Sequence, residues 1–385
     1  MLSTQRYFRF IRQLMMIIGT WTVQTGELST LKKRLYQVYA ITFQVICTSG
    51  SLSLLAEVPA LIKTSSITSA AVMDNVGRLM IYVVIMFKIF MWQSKRMLNL
   101  LSVALQQDSE LAGETNPKIV KIYKKHVSQA NNVVTIIFSS GILIGIGVAL
   151  IGDLNCYMYF KNQKGSDLKE NPLPLNLWYP FDKNKYYTLV LLDQNIRPIL
   201  TCLCIGVVGA SINSIVMFLK LQLTLLQHQF RIVDKFEAVE YNLKFLCLKH
   251  QKLIEFVEGF NESAKNVILL EYTVSSITIA IIIIQLISSG QFMLNLTLLS
   301  YTSLQLLLFA WNCNEIIVQS TALANALYES NWYEQSKSVK RILQIMMCRC
   351  EKPLRLRIGM FGAMDLDAGV SRLKLGYSYT TLVKN

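Results

Sequence analysis

Two acid–base pairs stand one helical repeat apart inside otherwise apolar sequence: Asp74-x-x-x-Arg78 and Asp193-x-x-x-Arg197. Residues four apart share a helix face, so each carboxylate can neutralise its own guanidinium and lower the cost of burying both. Such pairs either brace a structure or edge a cavity, and spacing alone leaves both roles open. The three histidines, His126, His228 and His250, are far apart, and no H-E-x-x-H, G-x-S-x-G or P-loop pattern is present. Two C-x-C pairs, at 202/204 and 348/350, have no histidines beside them, which argues against zinc. Gly141, Gly145 and Gly147 resemble a glycine-rich loop. Their setting, "SSGILIGIGVALIG", suits close helix packing or room beside a small ligand better than phosphate binding. No enzyme, metal site or cofactor is expected.

The elements that carry these residues are dictated by hydropathy. The chain has 385 residues, of which 52% are hydrophobic and only 16% charged; soluble domains carry about 25% charge. The apolar residues fall in blocks at roughly 35–56, 67–92, 131–152, 187–219, 267–289 and 292–318. Each is long enough for a spanning helix, which needs ~20 such residues. A seventh segment, 366–385, carries polar residues Asp367, Ser371, Lys374, Ser378 and Thr381 at spacings of three and four. That is one wet stripe along a helix, tolerable in a bilayer only against water or protein. The expected class is an all-α integral membrane protein with seven transmembrane helices in one membrane domain.

The formal net charge of +14 raises the possibility of nucleic-acid binding, but its distribution excludes that reading. Twenty-six Lys and Arg fall in 1–34, 94–130, 220–265 and 326–357, against six in the connections on the other side. This positive-inside pattern places the N-terminus in the cytoplasm and the C-terminus outside, with the anionic inner leaflet as partner of the basic segments. Residues 1–34 form a cytoplasmic segment in which Phe10, Leu14, Ile17, Ile18 and Trp21 mark an interfacial helix. The connection 153–186, with "NPLPLNLWYPFD", reads as an ordered extracellular cap. Only Cys156 of the eight cysteines lies in an outer connection, so no extracellular disulfide is expected. Asn295-Leu-Thr is a sequon close to the membrane.

Two cytoplasmic helical segments are expected at 226–265 and 326–357. In the first, Phe236, Val239, Leu243, Leu246, His250, Leu253, Val257 and Phe260 keep a three–four spacing, for packing within the chain or between subunits. In the second, Asn331 and Glu334 have the form of a capping box. Lys88, near the inner end of its span, is expected to snorkel to the interface. Among seven-span classes, a transporter would show repeated halves, and a metabotropic G-protein-type receptor would have its N-terminus outside. A channel with 366–385 along its water path fits the charge pattern and the polar stripe together.

Several stretches resemble the insect odorant receptors. The clearest is "CNEIIVQSTALANALYESNWYEQSKSVKRILQIMM", 313–347, with Tyr328 and Trp332-Tyr333 in the family's Tyr–x–x–x–Trp-Tyr signature and Cys313 where the family usually has Gly. "LPLNLWYPFD", "IIGTW" and the final "YSYTTL" are similar to three further family elements. Gustatory receptors end differently, and the shared co-receptor is longer between the fourth and fifth spans. The resemblance therefore implies a ligand-tuning subunit of an odorant-gated, non-selective cation channel. It also implies a heterotetramer with the co-receptor, in the plasma membrane of a sensory dendrite. It places a small apolar volatile in the outer half of spans two to five, with six contributing. Met73, Gly77, Met80, Gly145, Ile146, Ala149, Leu189, Asp193, Ile281 and Ile284 lie at matching depth. It places Leu382 at a hydrophobic gate, flanked by Ser378, Thr381 and Asn385, with Lys384 beside the stripe.

Overall fold

The computed structural model describes residues 7–21, 30–64, 70–162, 172–235, 237–288 and 292–384. Its helices are α1 (Arg9–Ile17), α2 (Thr30–Thr64), α3 (Ala70–Gln93), α4 (Lys95–Ala112), α5 (Pro117–Asn162), α6 (Tyr187–Arg231), α7 (Val239–Ser288), α8 (Phe292–Tyr328), α9 (Lys337–Cys350) and α10 (Leu366–Lys384). Six of them, α2, α3, α5, α6, α7 and α8, are long and apolar enough to cross a membrane. Several run far past bilayer thickness; α7 has 50 residues, about 75 Å at 1.5 Å per residue. Its N-terminal half must therefore stand outside the hydrocarbon.

Helix α6 is the hub. Ala210 to Leu219 are buried without interruption, whereas α2 shows Leu31, Leu35, Val38, Ile41 and Val45 on its open side. An apolar exposed face is stable here because lipid is its solvent. Helix α5 approaches α6 through glycine: a Cβ on Gly145 would sit 3.0 Å from Ile199 Cα. Helices α6 and α8 are joined by three polar rungs. Asn312 Nδ2 donates to Asn213 Oδ1 at 2.8 Å, Lys220 Nζ meets Glu315 at 2.9 Å, and Gln227 Nε2 donates to the Gln319 carbonyl at 2.7 Å. Positions 213, 220 and 227 are a heptad apart, so the rungs fix the register of the two helices.

The apolar face of the amphipathic α1 packs on protein. Tyr7, Phe8, Ile11, Leu14, Met15, Ile18 and Trp21 are buried within the protein, while the expected contact Ile17 is 46% exposed. Phe8 packs on Phe218 of α6 with ring centroids 5.0 Å apart, and Tyr7 Oη donates to the Ser214 carbonyl. Asp108 of α4 is buried beside the amides of Tyr7 and Phe8 and accepts from Tyr123 Oη at 2.7 Å. Its desolvation pushes the carboxyl pKa up, opposed by those hydrogen bonds. An apolar stripe fits a bilayer or a protein groove equally well, and here the aromatic contacts decide.

Three further expectations are corrected by partners distant in sequence. Lys88 does not snorkel: it is buried, with its Nζ 2.6 Å from Glu271 Oε1 of α7. The helix after Trp332 starts later than the Asn331–Glu334 spacing suggests. Residues Trp332–Glu334 form a single 3₁₀ turn, and Ser336 caps α9 by accepting from the Val339 amide. Asn331 instead donates to Asp234. The α7 stripe is packed inside the chain, with Leu243, Leu246, His250, Leu253, Val257 and Phe260 all buried; Phe236 lies outside the described residues. This is the intrachain outcome of the two that the spacing allowed.

Helix α10 docks on α7 and α8 through two glycines a heptad apart. A Cβ on Gly369 would meet Ala310 Cβ at 2.7 Å, and one on Gly376 would meet Ile279 Cγ2 at 2.6 Å. The opposite face carries the polar stripe, with Asp367, Ser371, Lys374 and Ser378 all exposed. The backbone stays helical to Lys384. The side chains of Thr381, Leu382 and Lys384, and all of Asn385, lie outside the described residues.

Candidate functional site

A cavity of about 420 Å³ opens among six helices. Helix α3 contributes Asp74, Gly77, Arg78, Ile81 and Tyr82, and α6 contributes Arg197, Pro198, Thr201, Cys202 and Ile205. Helix α7 adds Thr278, Ile281, Ile282 and Gln285; α8 adds Leu294, Asn295, Leu298, Tyr301 and Thr302. Ile144 and Val148 of α5 and Gly50 and Leu54 of α2 complete the sides. The volume suits a small molecule, and mostly apolar walls with a few polar groups are the usual form of such a site.

The connection before α6 closes one end. Leu175 and Leu177 line the cavity, held there by reciprocal bonds: the Leu175 amide donates to Gln194 Oε1 at 2.9 Å, and Gln194 Nε2 donates back to the Leu175 carbonyl at 3.0 Å. The Trp178 amide donates to the Ser53 carbonyl, and Asn75 Nδ2 to that of Asn176. Residues 172–186 are thus an ordered cover, pinned to α2, α3 and α6.

Both acid–base pairs form. Arg78 Nη2 lies 2.6 Å from Asp74 Oδ2 and its Nε donates to Oδ1. Arg197 Nε donates to Asp193 Oδ2 at 2.6 Å, and Tyr179 Oη donates to the same oxygen. Asp74, Arg78 and Arg197 face the cavity; Asp193 supports Arg197 from behind. Tyr82 Oη and Thr201 Oγ1 meet at 2.5 Å. Asn295 is buried on the cavity wall, which leaves no room for a glycan.

Of the residues expected from depth, Gly77 and Ile281 line this cavity, and Met73, Met80, Gly145, Ile146, Ala149, Leu189, Asp193 and Ile284 are not on its wall. Gly145 is a packing contact of α5 with α6, Ala149 is buried, and Leu189 is 63% exposed. Depth fixes a residue's height and not its face. The acid–base pairs singled out in the sequence extend into ladders of polar side chains at steps of four along this wall: Asp74, Arg78 and Tyr82 on α3, and Arg197 and Thr201 on α6.

Among the described residues no group of His, Cys, Asp and Glu could hold a metal. All eight cysteines are unpaired, Cys47 and Cys204 approaching to 3.9 Å.

The fold is that of a solved receptor. Over 99% of this chain and 98% of the other, the structure of the insect olfactory receptor OR5 from Machilis hrabei in complex with eugenol superposes with a TM-score of 0.81, at 16% identity. This makes the chain a seven-span, all-α, multi-pass membrane protein. Odorant receptor Or2 of Anopheles gambiae is 26% identical over 142 residues, 36% of this chain and 38% of that protein. Odorant receptor 30a of Drosophila melanogaster is 25% identical over 228 residues, 56% and 60% of the two chains. The matched segments cover less than two thirds of either relative's length. The model of the 7tm Odorant receptor family matches residues 69–377, and the chain belongs to that family.

Proposed function

We propose that this chain is the ligand-tuning subunit of an odorant-gated, non-selective cation channel. The observation that carries the proposal is the pairing of two features on shared helices. A covered cavity of small-molecule size is lined by α7 and α8, and α10 docks on the same two helices with its polar stripe turned outward. A ligand that prefers one arrangement of α7 and α8 biases the position of α10 through glycine contacts that leave no slack.

In this reading the N-terminus is cytoplasmic and the cavity lies in the outer half of the membrane. Ser378, Thr381 and Asn385 line a central pore with Leu382 as its gate. The remaining positions are supplied by the shared co-receptor, which meets this chain on the exposed faces of the cytoplasmic segments 226–265 and 326–357, where Tyr241, Phe245, Leu248 and Ile345 stand open. The setting is the plasma membrane of a sensory dendrite. The relatives named above are odorant receptors, and the structural neighbour was solved with eugenol; both support an odorant as the ligand class.

The test is to fill the cavity without disturbing the fold. A Cβ on Gly77 would lie 3.4 Å from Ile281 Cδ1, an ordinary contact, so larger side chains extend into the space. Gly77→Val is expected to raise the odorant concentration for half-maximal current at least about tenfold, with surface expression retained, the usual scale for occupying a hydrophobic pocket by a few methyl groups. Unchanged dose–response curves would place the ligand elsewhere.

A further inference from the structure

The cavity wall is mostly apolar, with Gln285, Asn295, Tyr301 and three threonines as scattered polar groups, and one corner brings Tyr82 and Arg197 beside a glycine. Thr201, Thr278 and Thr302 face the cavity but donate their protons to the carbonyls of Arg197, Val274 and Leu298 on their own helices. With the Thr201 proton directed there, Tyr82 is the donor in the Tyr82–Thr201 bond. Arg78 directs Nε and Nη2 to Asp74. Arg197 likewise commits two nitrogens, Nε to Asp193 and, among the described residues, Nη1 to Ser49 Oγ at a long 3.5 Å, and it is the one whose guanidinium end lies beside a glycine of the wall. A guanidinium has five N–H donors, and these bonds leave its outer edge with donor capacity.

That edge points to the cavity. A Cβ built on Gly50, itself a wall residue, would come 2.8 Å from Arg197 Nη1 and 3.4 Å from Tyr82 Oη. Gly50, Arg197 and Tyr82 therefore form one corner, and glycine at position 50 keeps it open. Asp74, Arg78, Asp193 and Arg197 sum to zero charge, so an ionised ligand would bring an uncompensated charge into a mostly apolar space. A neutral acceptor brings none and answers the donors.

We infer that the odorant is an apolar molecule carrying one neutral acceptor oxygen, of the ketone, aldehyde or ester type, which accepts from the Arg197 guanidinium beside Gly50 and Tyr82. This rests on the odorant-receptor reading above and narrows the ligand from any small apolar volatile to an oxygenated one. Arg197 is then a specificity-determining residue held in place by Asp193, and Asp193 acts on the ligand only through Arg197.

The test compares a medium-chain methyl ketone, the alkane of equal carbon number and the matching carboxylate. Each is applied to the chain co-expressed with the co-receptor, with binding followed independently as the thermal shift of the purified chain. The ketone is expected to be ten- to a hundredfold more potent than the alkane, the range of one charge-assisted hydrogen bond. Arg197→Gln should collapse the ketone-to-alkane potency ratio towards one, whatever its effect on the response as a whole. Since loss of Arg197 also unpairs Asp193, Gly50→Ala is the second variant: its methyl displaces the guanidinium end and leaves the ion pair intact. It should reduce ketone potency selectively.

Equal potency of alkane and ketone on the unmodified receptor overturns the acceptor inference and leaves the odorant reading standing. A carboxylate stronger than the ketone overturns the neutral-ligand assignment. No binding and no current with any volatile overturns the odorant reading, and the inference with it.

Discussion

The guanidinium of Arg372 lies over the ring of Tyr272, its Cζ 4.0 Å from the ring centroid, and so ties the last helix to α7 by a cation–π contact. Arg372 is buried, and its Nε has no hydrogen-bond partner among the described residues. The neighbouring Glu271 binds Lys88 of α3 and lies within electrostatic reach of Arg372. One carboxylate thus faces two buried cations from two other helices.

That arrangement ranks two substitutions. Glu271→Gln strands both cations and is expected to lower stability by about 3 kcal/mol, the scale for breaking a buried pair. Lys88→Met leaves Glu271 its other cation and should cost less. Thermal unfolding of the detergent-solubilised chain measures the order, and a larger loss for Lys88→Met would show that Glu271 does not serve Arg372.

At Gly376 the prediction is steric. A Cβ there would meet Ile279 Cγ2 at 2.6 Å, and the nearest backbone atom, the Ser276 carbonyl oxygen, at 3.4 Å. Gly376→Val should overpack the α7–α10 contact by roughly 1–3 kcal/mol and change the ratio of open to closed receptor without altering cavity binding. Ile279→Ala, which removes Cγ2, should restore part of the effect when combined with Gly376→Val. Ligand affinity and current then separate: a variant that changes both equally would argue against α10 as the moving element.

His250 predicts the sign of an acid effect. It is buried on the α7 stripe, and desolvation, aided by the nearby charge of Arg349, lowers its pKa to about 4. The unfolded imidazole, with pKa about 6.5, binds a proton that the folded one refuses. Stability should therefore fall as pH drops through the window from about 6.5 to 4, and level off below it. His250→Leu should flatten melting temperature against pH across that window. An unchanged slope would assign the acid sensitivity to carboxylates.

Lys384, beside the proposed gate, carries a positive charge that repels permeant cations if it faces the pore. Lys384→Gln is expected to raise single-channel conductance or calcium permeability of the heteromer. No change in either would turn Lys384 away from the conduction path.

Much of this architecture was legible from local pattern. Hydropathy located the spans because lipid imposes length and composition on each helix separately. The Asp74–Arg78 and Asp193–Arg197 pairs were legible because four residues along a helix fix their geometry. The polar face of α10 was likewise visible in the spacing of Asp367, Ser371, Lys374 and Ser378. What escaped depends on partners far along the chain. Nothing near Lys88 announces Glu271, and nothing in α1 distinguishes a groove holding Phe218 from a bilayer surface. The cavity falls between these cases. The resemblance offers a height for a ligand site, but Tyr301 and Thr302 of α8 join the cavity wall through helix rotation, which packing alone determines.

In the proposed function, ligand binding in this chain opens a cation path without a second protein relay. The most direct test is current recorded from the purified chain reconstituted with the co-receptor in a planar bilayer free of G proteins and nucleotides. The expected result is a cation-selective conductance that appears on addition of the odorant, disappears on its removal, and is shifted to higher concentration by Gly77→Val. A silent bilayer in the presence of demonstrated odorant binding would contradict it.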